Sequence, residues 1–459
     1  MSDALMEVLS GIDRLEGAEV SARATSYWDA SPMEAEAIYL PRSTADVSRI
    51  LAACNDAGRK VVVHGGRTGC ADGVASNAGD IVLSLEKMNA IEEIDPIGHV
   101  AVVEAGVILE TLQDAVADAG LFLPMDLGAR GSCTIGGNIA TNAGGVNVIR
   151  YGMMRNLVLG LEVVLPDGRV LSSMKRMLKD NAGYDLKQLF IGSEGTLGVV
   201  TRAIVKLEPA VSQRETALAA LSSYADVTAL LSLAKARLGA ALTSFELMWG
   251  DYYRAVCDGL GLRAPLDRAH PFYVLIETEA NAQGANSEAF MALLEEAMTS
   301  SVVKDGVIAQ SEQERREIWR IRDDFEPILR EKPVYLFDVS MPVTDMDGYI
   351  DKVRRALTVL ADDAVLHVFG HIGDGNLHLF AHPGKGAAAA PERRRAVEEC
   401  VYEPLRHIEG SVSAEHGIGR EKKEWLSVSR SEDEIAMMKM LKKSIDPNNI
   451  LNPGVVFDL

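Results

Sequence analysis

The chain has 459 residues, room for two or three domains at about 150 residues each, and its 47% hydrophobic content excludes a disordered polymer. Lys plus Arg number 46 against 66 Asp plus Glu, and the net charge of −20 makes phosphate backbones and anionic lipid poor partners. The five cysteines (Cys54, Cys70, Cys133, Cys257, Cys400) are odd in number and include no C-x-x-C pair, which argues against a disulfide scaffold and for a reducing, cytoplasmic setting.

In chain order, the start Met-Ser-Asp-Ala-Leu-Met-Glu has no cationic or apolar targeting pattern and opens an acidic, helix-compatible leader. A short apolar run at 35–40 stops at Pro41, and Ser43, Thr44 and Asp46 cap an amphipathic helix over 47–57 that ends at Gly58. Strands are predicted at 60–63, 81–85, 100–105 and 157–165, with a helix at 109–119 and a turn at 166–168 leading into a further strand. Up to about Pro209 this reads as an α+β domain with glycine-rich joints. Beyond it, strands at 244–248, 272–278, 335–340 and 365–369 alternate with helices at 287–298, 312–329, 350–361 and 391–408. That pattern predicts an antiparallel sheet backed by helices on one face. The turn-rich tail at 446–454 is expected to fold back on the first domain. No apolar run approaches the roughly 20 residues a bilayer span requires.

Three glycine clusters fall in the first domain: HGGRTGCADG (64–73), GSCTIGGNIATNAGG (131–145) and GSEGTLG (192–198). Glycine lets the backbone reach positive φ and approach a ligand closely, and converging N–H groups bind phosphate without a lysine. Neither G-x-G-x-x-G nor a P-loop is present, so the usual dinucleotide crevice of a parallel sheet is not indicated.

The segment 367–382, HVFGHIGDGNLHLFAH, reads as a hairpin about Asp374-Gly375. A two-residue turn there places His371 opposite His378, Phe369 opposite Phe380 and His367 opposite His382, all on one face. Opposed Cβ atoms lie about 4.5–5.5 Å apart, close enough for two imidazoles to share a divalent ion. SAEHGIG (413–419) offers a third ligand as Glu415 or His416. Two His and a carboxylate leave a coordination position open. His367 and His382 read as structural.

These motifs, together with MDLGARG, GYDLKQLF and ILNPG, carry a resemblance spanning about Pro41 to Gly454. The chain resembles the FAD-dependent D-2-hydroxyacid dehydrogenases (D-2-hydroxyglutarate dehydrogenase, acceptor-linked D-lactate dehydrogenase, the glycolate oxidase flavin subunit) of the vanillyl-alcohol oxidase / p-cresol methylhydroxylase superfamily. The resemblance implies an α+β fold: a p-cresol methylhydroxylase-type FAD-binding domain over 1–210 (core 35–210), a cap domain over 211–425 carrying the metal site, and a C-terminal segment, 426–459, returning to the first domain. It implies FAD held by His64, Gly65, Gly66, Arg67, Thr68, Gly69, Gly73, Pro124, Gly131, Ser132, Thr134, Gly136, Gly137, Thr141, Asn142, Gly144, Glu194, Gly195, Gly198, Val200 and Asn452. Covalent relatives often carry His where this chain has Arg67, so dissociable FAD is expected. It further implies zinc or another divalent metal on His371, His378 and Glu415, with His416 as base and Arg322 pairing with a substrate carboxylate. The implied reaction chelates the substrate on the metal, removes the hydroxyl proton to His416 and passes the C2 hydride to flavin N5.

Three departures bear on substrate. Leu336 stands where the 2-hydroxyglutarate branch carries lysine, Glu326 where it carries threonine, and Phe380 where it carries asparagine. A distal carboxylate would be poorly paired there, which predicts a monocarboxylate such as D-lactate, or a larger apolar D-2-hydroxyacid, over D-2-hydroxyglutarate; Lys332 is the residue that could reverse this. Competing readings are a metal-dependent hydrolase, a non-catalytic FAD- or metal-binding protein, and an oxidase. The expected partners are a small D-2-hydroxyacid, an electron acceptor such as an electron-transfer flavoprotein or quinone, and a second copy in a homodimer.

Overall fold

The computed structural model describes residues 7–282, 284, 286–330, 332–384 and 391–459, so the first six residues of the leader lie outside it. The chain divides into two compact units, one of Met1–Gly145, Gly152–Ala210 and Glu415–Leu459, the other of Val146–Tyr151 and Val211–Ala414.

The first unit holds a four-stranded sheet in the order Asp13–Glu16, Ala37–Leu40, Ile81–Ser84, Val61–His64. The last three run parallel. The leader expected as helix thus supplies the strand Asp13–Glu16, antiparallel to Ala37–Leu40. Ala37–Leu40 is apolar and wholly buried, and its open edge recruits the leader backbone whatever the leader's own propensity. The helix Thr44–Asp56 starts at Ser43, whose side chain accepts the Asp46 N–H, and it buries Val47, Ile50, Leu51 and Cys54 at helical spacing. A second, antiparallel sheet has the order Ile91–Asp95, Val100–Glu104, Val199–Lys206, Val158–Val164, Val170–Ser173. Ile91–Asp95 escaped the sequence reading because IEEID carries three charges in five residues and only half-buries its isoleucines.

In the second glycine cluster, Ile135–Thr141 is a helix capped by Thr134, whose side chain accepts the Gly137 N–H. Glycine content hid that helix from a reading based on turns. In the last turn of the helix Glu432–Ile445, buried Lys442 bonds Asp446 and the carbonyls of Thr196 and Leu451. Ile450 and Leu451 enter the same core as the first sheet.

The second unit is built on seven strands in the order Asp305–Ile308, Gln213–Leu221, Phe272–Ala280, Leu242–Trp249, Val365–Gly370, Asn376–His382, Tyr335–Ser340, every neighbouring pair antiparallel. The expectation of helices on one face is corrected. Met248, Tyr273, Leu275, Phe369 and Phe380 pack with Tyr252, Tyr253, Ile318, Trp319 and Ile321 on one side. Their chain neighbours Leu247, Val274 and Val368 are also fully buried, and the helices Tyr224–Leu238 and Met346–Leu360 lie against those strands. Strands covered on both faces lose the alternation that would have disclosed this.

Two long helices expected from the sequence are each broken at proline. The stretch 312–329 is Glu312–Asp323 followed by Glu326–Leu329, with Pro327 in the first turn of the second piece. The stretch 391–408 is Pro391–Tyr402 followed by the 3-10 turn Glu403–His407, with Pro404 near its start. Proline has no N–H to continue the preceding ladder.

The histidine hairpin differs from its expected register by two residues. His378 pairs with Phe369 and Phe380 with His367, so residues 371–375 form a five-residue connection rather than a two-residue turn. The His371 carbonyl accepts the N–H groups of Asp374 and Asn376. The Asn376 amide donates to Asp338 at 2.8 Å and to the Val339 carbonyl at 3.0 Å, which pulls Asn376 into the sheet as the first residue of its strand. A shift of two preserves the face, since side chains alternate with period two.

Candidate active site

In the first unit, the strand Val61–His64 delivers the chain into the first glycine loop. Residues 65–69 and 73, Thr134, Gly136, Gly137 and Thr141 line a cleft together with Glu194, Gly195, Gly198, Val200, His416 and Asn452. A side chain at Gly66 would run into the Ser132 carbonyl, so glycine is what lets the loop lie against the start of the helix Ile135–Thr141. The Asn452 side chain accepts the Val63 N–H at 2.8 Å and donates to the Glu194 carbonyl at 2.7 Å, tying the first and third glycine loops together.

Six residues expected at the cofactor do not line the cleft. His64 lies behind its own loop, its ring on the Val74 carbonyl at 2.8 Å, and burial pulls its pKa down to about 4. Asn142 accepts the Arg155 N–H, and Ser132 sits on the exposed turn that includes Gly131. Pro124 is buried off the cleft, and Gly144 lies where a side chain would meet Glu415. Val63, Ala71, Val74, Leu85, Cys133, Asn138, Ala140 and Val199 line it without having been singled out. Apart from Asn138 they are apolar or small, and most lie within or beside the glycine motifs.

Glu415 and His416 begin the C-terminal part of this unit. Beyond them the chain turns sharply through Gly417 (φ +80°) and Gly419 (φ +55°), and a side chain at Gly419 would strike the Ala71 carbonyl. Glu194, itself at φ +51°, accepts the Ile418 and Gly419 N–H groups, each at 2.8 Å. Glu194 thus lines the cleft and bonds the segment after His416 through its carboxylate.

The second unit carries a cluster built from side chains. Arg322 is the fourth residue after Ile318 on the same buried face of its helix, and it is 7% exposed. Its Nε donates to Glu246 at 2.8 Å, one terminal nitrogen lies 2.8 Å from His371 Nε2, and the other donates to Asp323 at 3.1 Å. The guanidinium also lies over the Phe369 ring, 5.1 Å from its centroid. His371 Nδ1 meets Glu246 at 2.8 Å, so Nε2 is the lone-pair nitrogen of its ring. Burial alone would raise the Glu246 carboxyl; His371 and Arg322 beside it outweigh that and hold it at about 2. Burial pushes Asp374, in the hairpin connection, up to about 6.

The His371 and His378 rings lie 5.3 Å apart, although the residues are not directly opposed. Asp338 is the cross-strand partner of His378 and lies 3.7 Å from its Nδ1. Asp338 also accepts the Ala414 N–H at 3.0 Å, and Glu415 follows one peptide bond later. The Glu246 bond to His371 Nδ1 is the support metal-bound histidines use, and Asp338 stands on the Nδ1 side of His378 at 3.7 Å. This donor chemistry fits a divalent cation, with Arg322 and the ion competing for the His371 lone pair. Sequence reasoning missed Glu246 and Asp338. Each was visible as a lone carboxylate within an apolar strand, LTSFELMW and YLFDVS.

Leu336 stands directly opposite Phe380, whose ring lies 5.1 Å from Phe325 and stacks on Phe369. Glu326 pairs with Arg330 on the surface, and Lys332 is exposed.

Comparison with known proteins shows the family and the cofactor class. Residues 211–456 match the family of FAD linked oxidases, C-terminal domain, and residues 35–173 match a FAD binding domain. A Bos taurus protein named D-2-hydroxyglutarate dehydrogenase, mitochondrial, is 40% identical over 90% of this chain and 75% of its own length. A Schizosaccharomyces pombe protein, provisionally named a mitochondrial D-lactate dehydrogenase, is 39% identical over 90% and 80%. A Xanthomonas citri D-2-hydroxyglutarate dehydrogenase is 37% identical over 95% and 91%. The fold is that of p-cresol methylhydroxylase (TM-score 0.75, 15% identity, 99% of this chain and 96% of that one). Alkyldihydroxyacetonephosphate synthase shares it, with a TM-score of 0.75 at 15% identity over 99% of this chain and 85% of that one. The cytoplasmic expectation is corrected by the cattle and yeast relatives, both named as mitochondrial. Unpaired cysteines report redox poise, which does not single out one compartment. No helix among the described residues is long and apolar enough to cross a membrane. On the family match and these identities, the chain belongs to the FAD-linked oxidases, the family of the D-2-hydroxyglutarate and D-lactate dehydrogenases named above.

Proposed function

We propose that the protein is an FAD- and divalent-metal-dependent dehydrogenase that oxidises a D-2-hydroxyacid to the 2-oxoacid and passes the electrons to an acceptor other than NAD. The observation that carries the reading is the first unit's cleft, where all three glycine motifs and His416 meet. Residues 1–145, 152–210 and 415–459 act as the FAD-binding domain and residues 146–151 and 211–414 as the substrate domain, which moves 415–425 out of the expected 211–425 cap. FAD is held without a covalent bond, since Arg67 follows Gly66 and the buried His64 ring is engaged by Val74.

When bound, FAD supplies a two-electron acceptor and the cation a Lewis acid for a hydroxyl and carboxylate. The cation's donors are His371, His378 and Glu415, with Glu246 and Asp338 orienting the two imidazoles. His416 takes the substrate hydroxyl proton. Arg322 presents a fork to the substrate carboxylate, pre-aimed by its bond to Glu246.

Phe380, Leu336, Phe325 and Phe369 pack in one apolar cluster of the second unit, and neither Lys332 nor Glu326 joins it. This supports a monocarboxylate such as D-lactate, or a larger apolar D-2-hydroxyacid. D-2-hydroxyglutarate is the alternative, favoured by the names of the relatives. The test is anaerobic bleaching of the flavin, with kcat/KM for D-lactate, D-2-hydroxyisocaproate, D-mandelate and D-2-hydroxyglutarate. A strong preference for the dicarboxylate overturns the substrate assignment, and protein that takes up no FAD on reconstitution overturns the whole reading.

A further inference from the structure

Glu194 is the one charged residue in GSEGTLG, a loop otherwise of small or apolar residues. Phosphate binding by a glycine loop gains nothing from an added carboxylate. Its neighbourhood supplies another reason for it. The Glu194 N–H donates to the Ala140 carbonyl at 2.7 Å and its carbonyl accepts the Asn452 amide at 2.7 Å, so its backbone is fixed in the cleft wall. Its two carboxylate oxygens take one N–H each, from Ile418 and Gly419, at 2.8 Å. A side chain at Gly417 would lie 3.0 Å from the carboxylate carbon, so the chain leaving His416 wraps directly over this group. Burial pushes the Glu194 carboxyl up, and the two N–H donors and Lys422 act against that.

We infer that Glu194 is a positioning residue that ties occupancy of the cleft to the seating of His416. One rigid residue joins the wall that meets the cofactor to the segment that carries the base. Ordering the wall therefore orders that segment, and the coupling is reciprocal. The inference rests on the reading of His416 as the base, and its test separates the two.

Amide hydrogen exchange of residues 415–420 is measured in the apoprotein and after FAD reconstitution, for wild type, E194Q and E194D, with FAD affinity followed by flavin fluorescence. In wild type, FAD is expected to slow exchange in this segment about tenfold or more. E194Q keeps the side-chain volume and one acceptor but sets an NH2 against the second N–H. It is expected to lose the protection, to bind FAD about tenfold more weakly through the same reciprocal coupling, and to lose about 10- to 100-fold in kcat with KM little changed. E194D, which keeps the charge but withdraws it by one methylene, is expected to fall between them. Wild-type protection in both variants overturns the inference, and so does loss of FAD binding in both, which would assign the carboxylate to the cofactor. H416A is run in parallel. If it turns over like wild type the base assignment fails, while the exchange comparison still decides the role of Glu194.

Discussion

The first unit's cleft and the second unit's polar cluster are built on opposite plans. The cleft is walled by glycines, small residues and backbone, with side-chain bonds such as Asn452 to Val63 serving to hold loops in place. The cluster is walled by apolar rings and built from charged and polar side chains that hold one another: Arg322, Glu246, His371, Asp338 and His378. A backbone cradle suits a large ligand held at many points, because each contact is small and fixed by the fold. A cluster of buried charges suits a small substrate held at one end, because removing any partner strands another charge at a cost of several kcal/mol.

The contrast can be broken from either side. The largest effect is expected from His416→Ala, with kcat falling about 10²- to 10⁴-fold while flavin content stays near wild type; equal turnover removes His416 from the chemistry. Arg322→Lys keeps the charge but loses the fork, and kcat/KM should fall about 10²-fold, which steady-state kinetics would read.

The cleft side offers a pH test. The His64 pKa is lowered to about 4 in the folded protein, so the fold favours the neutral ring. Unfolded chains bind more protons between about pH 6.5 and 4, and stability should be full above that window and lost as pH falls through it, by up to about 3 kcal/mol. Urea midpoints from pH 7 to 4 should show this slope in wild type and about one proton less of it in His64→Leu. Gly66→Ala, whose methyl would strike the Ser132 carbonyl, should weaken FAD about tenfold, or about 1.4 kcal/mol, by fluorescence titration, with metal content unchanged. The smallest effect is expected from Phe380→Asn. It restores one polar anchor and should raise the D-2-hydroxyglutarate to D-lactate ratio of kcat/KM by about tenfold or less.

Legibility followed the same division. The glycine motifs were readable because a backbone site is specified by the absence of side chains at consecutive positions. The imidazole pair was found from spacing, yet its register was two residues off, because Asn376 is drawn into the sheet by Asp338 on another strand. Glu246 and Asp338 were not singled out, because a lone carboxylate in an apolar strand names no partner until the strands are ordered. The leader was misjudged for a related reason, since its strand conformation is imposed by the open edge of Ala37–Leu40.

By itself, the sequence determined the family, the glycine cradle and the residue types available for chemistry, all encoded in short local runs of sequence. The tertiary structure alone decided which carboxylate backs which histidine, which side of the second sheet each helix covers, and that Glu194 turns from the cleft wall to the segment behind His416. Such pairings join residues as far as 225 positions apart, and hydrogen-bond geometry over that separation has no local signature.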